Sequence, residues 1–78
     1  MSPYSPNVNS LLDTLMSQTC GIAILRVGGK EAKASELEVQ RVKTIERLAR
    51  QGMTPTEILA YVGEAEHTAQ VLFDALSR

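Results

Sequence analysis

One stretch of this chain leaves the backbone little choice. Gly52-Met53-Thr54-Pro55-Thr56-Glu57 reads as a helix stop followed at once by a helix start. Gly52 supplies a left-handed residue that ends one helix. Thr54 is then a capping side chain, Pro55 suits the first helical position, and Glu57 stands where it can reach back to the free N–H of Thr54. Met53 and Ile58 flank the cap as a hydrophobic staple. Two helices must therefore meet here at a tight corner.

The helix before the corner is read as starting at Ser35-Glu36-Leu37-Glu38, which matches a second capping box. Its spacing places Leu37, Val42, Ile45, Leu48 and Ala49 on one side and Lys43, Arg47 and Arg50 on the other. After the corner, Ile58, Leu59 and Val62 face inward, and Gly63 is read as ending a helix of about two turns. A further helix from Ala65 or Glu66 to Leu76 buries Ala69, Leu72, Phe73 and Leu76. A Gly stop, a short capped helix, a Gly and a longer helix have the order of a helix-turn-helix. The expected fold is all-α: a three-helix helix-turn-helix bundle over 35–77, with an extra N-terminal helix.

Upstream, residues 1–7 read as a mobile tail and 30–78 as the helix-turn-helix domain. Between them, Asn9 is a plausible N-cap for a helix carrying Leu11, Leu12, Leu15 and Met16 and ending near Gly21. The run 22–27 before Gly28-Gly29 has two readings. Its β-branched residues favour a short strand, but a lone strand would need another chain. The competing reading extends the helix through Gly21, because Leu12, Leu15, Met16, Ile22 and Ala23 can share one face. Residues 8–27 are apolar, with Asp13 and Arg26 their only charges, and offer a homodimer interface.

At 78 residues the chain makes one domain with a modest core. A single cysteine, Cys20, allows no internal disulfide, and no run approaches the roughly 18 apolar residues of a membrane span. A cytoplasmic protein is expected. The net charge of −1 hides a division. Residues 26–51 carry Arg26, Lys30, Lys33, Arg41, Lys43, Arg47 and Arg50 against four Glu, whereas 52–78 carry Glu57, Glu64, Glu66 and Asp74 against Arg78. His67 falls in a different element from Cys20 and Asp13, no nucleophile motif surrounds them, and Gly28-Gly29 lacks the rest of a phosphate loop. No enzyme, metal or cofactor is expected.

The phrases Gly28-Gly29-Lys30, Arg50-Gln51-Gly52-Met53-Thr54, Glu57-Ile58 and Val62-Gly63 together resemble the C-terminal DNA-binding domain of serine recombinases, the resolvases and DNA invertases. The resemblance covers Gly28 to Phe73. It implies a minor-groove arm at the Gly pair and a recognition helix in which Thr68 matches a common family position. Lys30 replaces the usual arm Arg, Leu59 replaces a small residue, and the third helix opens on Glu64 and Glu66 where polar or basic residues are usual.

Two functions follow. The first is a small DNA-binding transcription regulator from a phage or plasmid. Arg26, Lys30, Lys33, Lys43, Arg47 and Arg50 would meet the phosphates of duplex DNA, and His67, Thr68 and Gln70 would read bases. The second is a protein-interaction module or inhibitor (anti-CRISPR proteins are one such class) that docks Glu64, Glu66 and Asp74 on a basic protein surface. Glu64 and Glu66 also suit the N-terminal end of a helix dipole without any ligand.

Overall fold

The computed structural model describes residues 5–78 as three helices: α1 (Pro6–Val27), α2 (Glu31–Arg50) and α3 (Pro55–Leu76). The protein is all-α. Helix α1 packs on both other helices, while α2 and α3 meet only sparsely. The arrangement is two layers, with α1 lying in the crease of an α2–α3 hairpin. The long dimension of 37 Å is close to that of a 22-residue helix, about 33 Å.

The corner at residues 52–57 forms as its sequence requires. Gly52 has φ +97°, its N–H bonds the Ala49 carbonyl, and the Met53 N–H bonds the Leu48 carbonyl. That pair of bonds is a Schellman motif. Thr54 and Glu57 complete the capping box, with the Glu57 N–H on Thr54 Oγ1 at 3.2 Å and the Thr54 N–H on Glu57 Oε1 at 3.0 Å. Met53 and Ile58 are both buried, in one cluster with Val8, Leu12, Leu15 and Leu48. Leu15 and Leu48 are the fully buried centre of that cluster.

Several sequence expectations are corrected. Of the two readings of 22–27 the structure takes the helical one, and α1 passes through Gly21 instead of ending there. Burial outweighs β-branched propensity: Ile22 and Ala23 continue the buried stripe of Val8, Leu12, Leu15 and Thr19. Gly21 serves close approach, since a Cβ there would lie 3.0 Å from Leu37 Cδ2.

Helix α1 also begins earlier than expected. Ser5, not Asn9, is the N-cap, accepting from the Val8 N–H at 3.3 Å. Ser5, Pro6 and Asn7, expected in a tail over 1–7, thus belong to the start of α1, and Met1–Tyr4 lie outside the described residues.

Helix α2 begins at Glu31, four residues before the expected cap at Ser35, which sits within the helix. The cause is a second Schellman turn. Gly29 has φ +73°, its N–H bonds the Arg26 carbonyl, and the Lys30 N–H bonds the Leu25 carbonyl. The chain reverses there and restarts at once, with Glu31 at the positive end of the helix dipole and Ala34 fully buried. The inward stripe is Ala34, Leu37, Arg41, Thr44, Ile45 and Leu48, whereas Val42 and Ala49 are exposed. Sparse α2–α3 contact leaves that flank of α2 uncovered.

The expected break at Gly63 is absent, so the region is one helix and not the two that a helix-turn-helix requires. Gly63 lacks a positive φ, and its neighbours Ile58, Ala65 and Ala69 form one buried stripe on α3. Keeping that stripe against α1 outweighs the cost of about 1 kcal/mol for a helical glycine. Leu59 and Leu76, expected inside, are 70% and 49% exposed.

These assignments have opposite consequences at the two glycines. Gly63→Ala meets nothing within 4 Å and should stabilise the fold by about 0.5–1 kcal/mol. Gly52→Ala, held at positive φ, should destabilise it by at least about 1 kcal/mol. Thermal and urea unfolding of the two variants checks both signs. Destabilisation by Gly63→Ala would contradict a continuous α3.

Candidate functional site

Away from the leucine-rich end, most buried residues are small, Ala23, Ala34, Ala65 and Ala69, with Ile22 beside them. The space between α2 and α3 opens there into a groove of about 360 Å³. Ile22, Ala23 and Thr19 of α1 line it together with Ala69 and Phe73 of α3. Its charged residues are Arg26, Glu38, Arg41 and Glu66.

Arg41 joins the three helices. Its Nε donates to Thr19 Oγ1 at 2.9 Å and its Nη2 to Glu66 Oε1 at 3.0 Å. The Thr19 hydroxyl donates its proton to the Leu15 carbonyl at 2.7 Å, so its lone pairs face the guanidinium. The Arg41 side chain is only 16% exposed, against 61% for Glu66. Hydrogen bonds to a charged group in such surroundings contribute about 1.5–3 kcal/mol. Near the open end Arg26 bonds Glu38 at 3.1 Å and approaches Glu31 at 3.7 Å. That pair is exposed and contributes little, below about 1 kcal/mol.

Arg41 was not among the residues assigned a role from sequence. A signal for it exists: it occupies a position on the apolar stripe of α2, four residues from both Leu37 and Ile45. An arginine there must find partners inside the fold.

The residues that were assigned roles divide into three groups. Lys43, Arg47 and Arg50 are exposed on α2, with Arg50 3.9 Å from Glu46, and Lys30 and Lys33 are exposed at the opposite end of that helix. Arg26 is held by carboxylates instead of facing outward alone. On α3, His67, Thr68 and Gln70 are exposed, but two of them already have partners within their own helix. The Thr68 hydroxyl donates to the Glu64 carbonyl at 3.0 Å, and Gln70 Nε2 donates to Asp74 Oδ1 at 2.9 Å. Of the acidic set, Glu66 is the Arg41 partner, while Glu64 and Asp74 stand on the exposed side of α3.

The apolar residues of α1 are largely used inside the chain, with Ile24 and Val27 exposed at its end. Among the described residues no group of three His, Cys, Asp or Glu side chains could hold a metal ion. No helix among them is long and apolar enough to cross a membrane. Comparison of the chain with protein-family models, with curated proteins and with solved structures gave no match.

Arg41→Met should lower stability by about 1–3 kcal/mol with the helices retained. Thr19→Val should cost less, and the two changes together should cost less than their sum, because they share one hydrogen bond. Urea unfolding of the four proteins in this cycle measures the coupling. Strict additivity would show that the bond contributes nothing.

Proposed function

We propose that the chain is a protein-interaction module that docks the outer side of α3 on a basic surface of another protein. One observation carries this reading. The 22 residues of α3 include Glu57, Glu64, Glu66 and Asp74 and no Lys or Arg, and the same helix exposes Leu59 and Val71 at 70% and 57%. Acidic residues interspersed with bare aliphatic ones suit a protein surface that supplies both cations and apolar contact. They do not suit a nucleic-acid backbone, where binding comes from neutralising phosphates.

Glu66 contributes to this surface only at its edge, since Arg41 holds it. The charges to test are therefore Glu64 and Asp74. Reversing both to Lys should abolish co-purification of the basic partner. The partner would be identified by mass spectrometry of the wild-type complex and re-tested as a purified protein. The helical content should be unchanged by circular dichroism. Retention of that partner by the double variant would refute docking through α3.

The exposed row Lys43, Arg47 and Arg50 favours a second reading, a DNA-binding regulator that grips phosphates with α2. Arg26 and Arg41 are already paired, which leaves this row, with Lys33 at the other end of the helix, as the cations of α2 open to phosphates. The three contacts of the row predict a fall in log K of about 3 per tenfold rise in salt. No binding to duplex DNA by the folded protein at low salt would eliminate this reading.

A further inference from the structure

We propose that the face of the α2–α3 layer turned away from α1 is a two-fold interface with a second copy of this chain. The inference rests on the reading of α3 as a docking face, and it names α2 of the second copy as the basic surface that α3 meets.

The buried stripes of the two helices fix which sides are free. Ala34, Thr44 and Leu48 turn α2 toward α1, and Ile58, Ala65 and Ala69 do the same for α3. The opposite sides therefore point out of the bundle together. On α2 that side carries Glu36, Val39, Lys43, Glu46 and Arg50, with Arg47 beside them, all exposed. Glu46 is 3.9 Å from Arg50 in its own helix, and Lys43 and Arg47 leave the row basic from Lys43 onward. On α3 the corresponding side carries His67, Val71 and Asp74, with Glu64 beside them, all exposed. One face thus holds a basic row and an acidic row next to each other.

Charge then selects the symmetry. A two-fold axis lying in this face and across the helices would stack α2 on α2 and α3 on α3, like charge on like. An axis along the helices instead stacks α2 of each copy on α3 of the other. The register follows from the Arg41–Glu66 pair, which sets those two residues level on antiparallel helices. Both helices rise 1.5 Å per residue, so Lys43 lies level with Glu64. Rotation about an axis along the helices preserves level. Lys43 of one copy therefore meets Glu64 of the other, and the symmetry repeats the pair. Val39 and Val71, 55% and 57% exposed in the single chain, become covered between these rows.

The experiment is sedimentation equilibrium of the full chain at low and high salt, with Lys43→Glu, Glu64→Lys and the two combined. Wild type should be a dimer that weakens with salt. Each single reversal should raise the dimer Kd about tenfold or more, and the combined swap should restore it, because the pair is re-formed with its signs exchanged. Both positions are exposed, so circular dichroism should show unchanged helicity. A monomer at all concentrations, or a dimer indifferent to the single reversals, would overturn the proposal. Failure of the two readings is distinguishable. A wild-type monomer that still loses its basic partner on Glu64→Lys removes the dimer and leaves α3 docking intact. A charge-sensitive dimer that captures no other protein confines the docking role of α3 to self-association.

Discussion

The geometry of this protein depends on how one cation is held. Helices α2 and α3 share little direct packing, so their separation along the alanine-rich half is set by α1 and by the Arg41 side chain that reaches both α1 and α3. Were Arg41 apolar, the two helices could close over Ala23 and Ala69. Instead its planar head needs acceptors in defined directions, and Thr19 and Glu66 supply them from different helices. The groove and the level matching of α2 with α3 both follow from this contact.

The leucine-rich end is organised differently. There the Schellman turn at Gly52 and the capping box at Thr54 deliver Met53 and Ile58 directly into the cluster around Leu15 and Leu48. Local backbone chemistry and core packing agree, and the corner is tight. Arg41 lies about three turns of helix back from Gly52, so the two devices constrain the hairpin at separate points along its length.

Legibility in the sequence tracked whether a feature was local. The corner at 52–57 was readable because each of its residues acts on neighbours within a few positions. The all-α class followed from the same signals. Features decided by long-range burial were misread. Gly63 has the identity of a helix stop, yet α1 holds the residues on both sides of it in one stripe. Ser35-Glu38 has the composition of a cap, yet the reversal at Gly29 had already restarted the helix. The strand-like run 22–27 faced the same override. At the candidate site the charge asymmetry between α2 and α3 was visible as counts along the chain. Which charges were engaged was not, because the Arg41–Glu66 and Arg26–Glu38 pairs join residues far apart in sequence.

The uneven core has a consequence for motion. One half of the bundle is filled by Leu12, Leu15, Leu48 and Ile58, the other mostly by alanines, with Ile22, beside a groove. Alanine burial removes far less apolar surface from water than leucine burial does. Openings that leave most of the fold intact should therefore begin where Ala34 and Ala69 lie and stop short of Leu15. Backbone amides would exchange with solvent in a gradient along the long axis, slowest around Leu15 and Leu48. The corner at Gly52 would act as a closed hinge pin, while the far ends of α2 and α3 breathe apart.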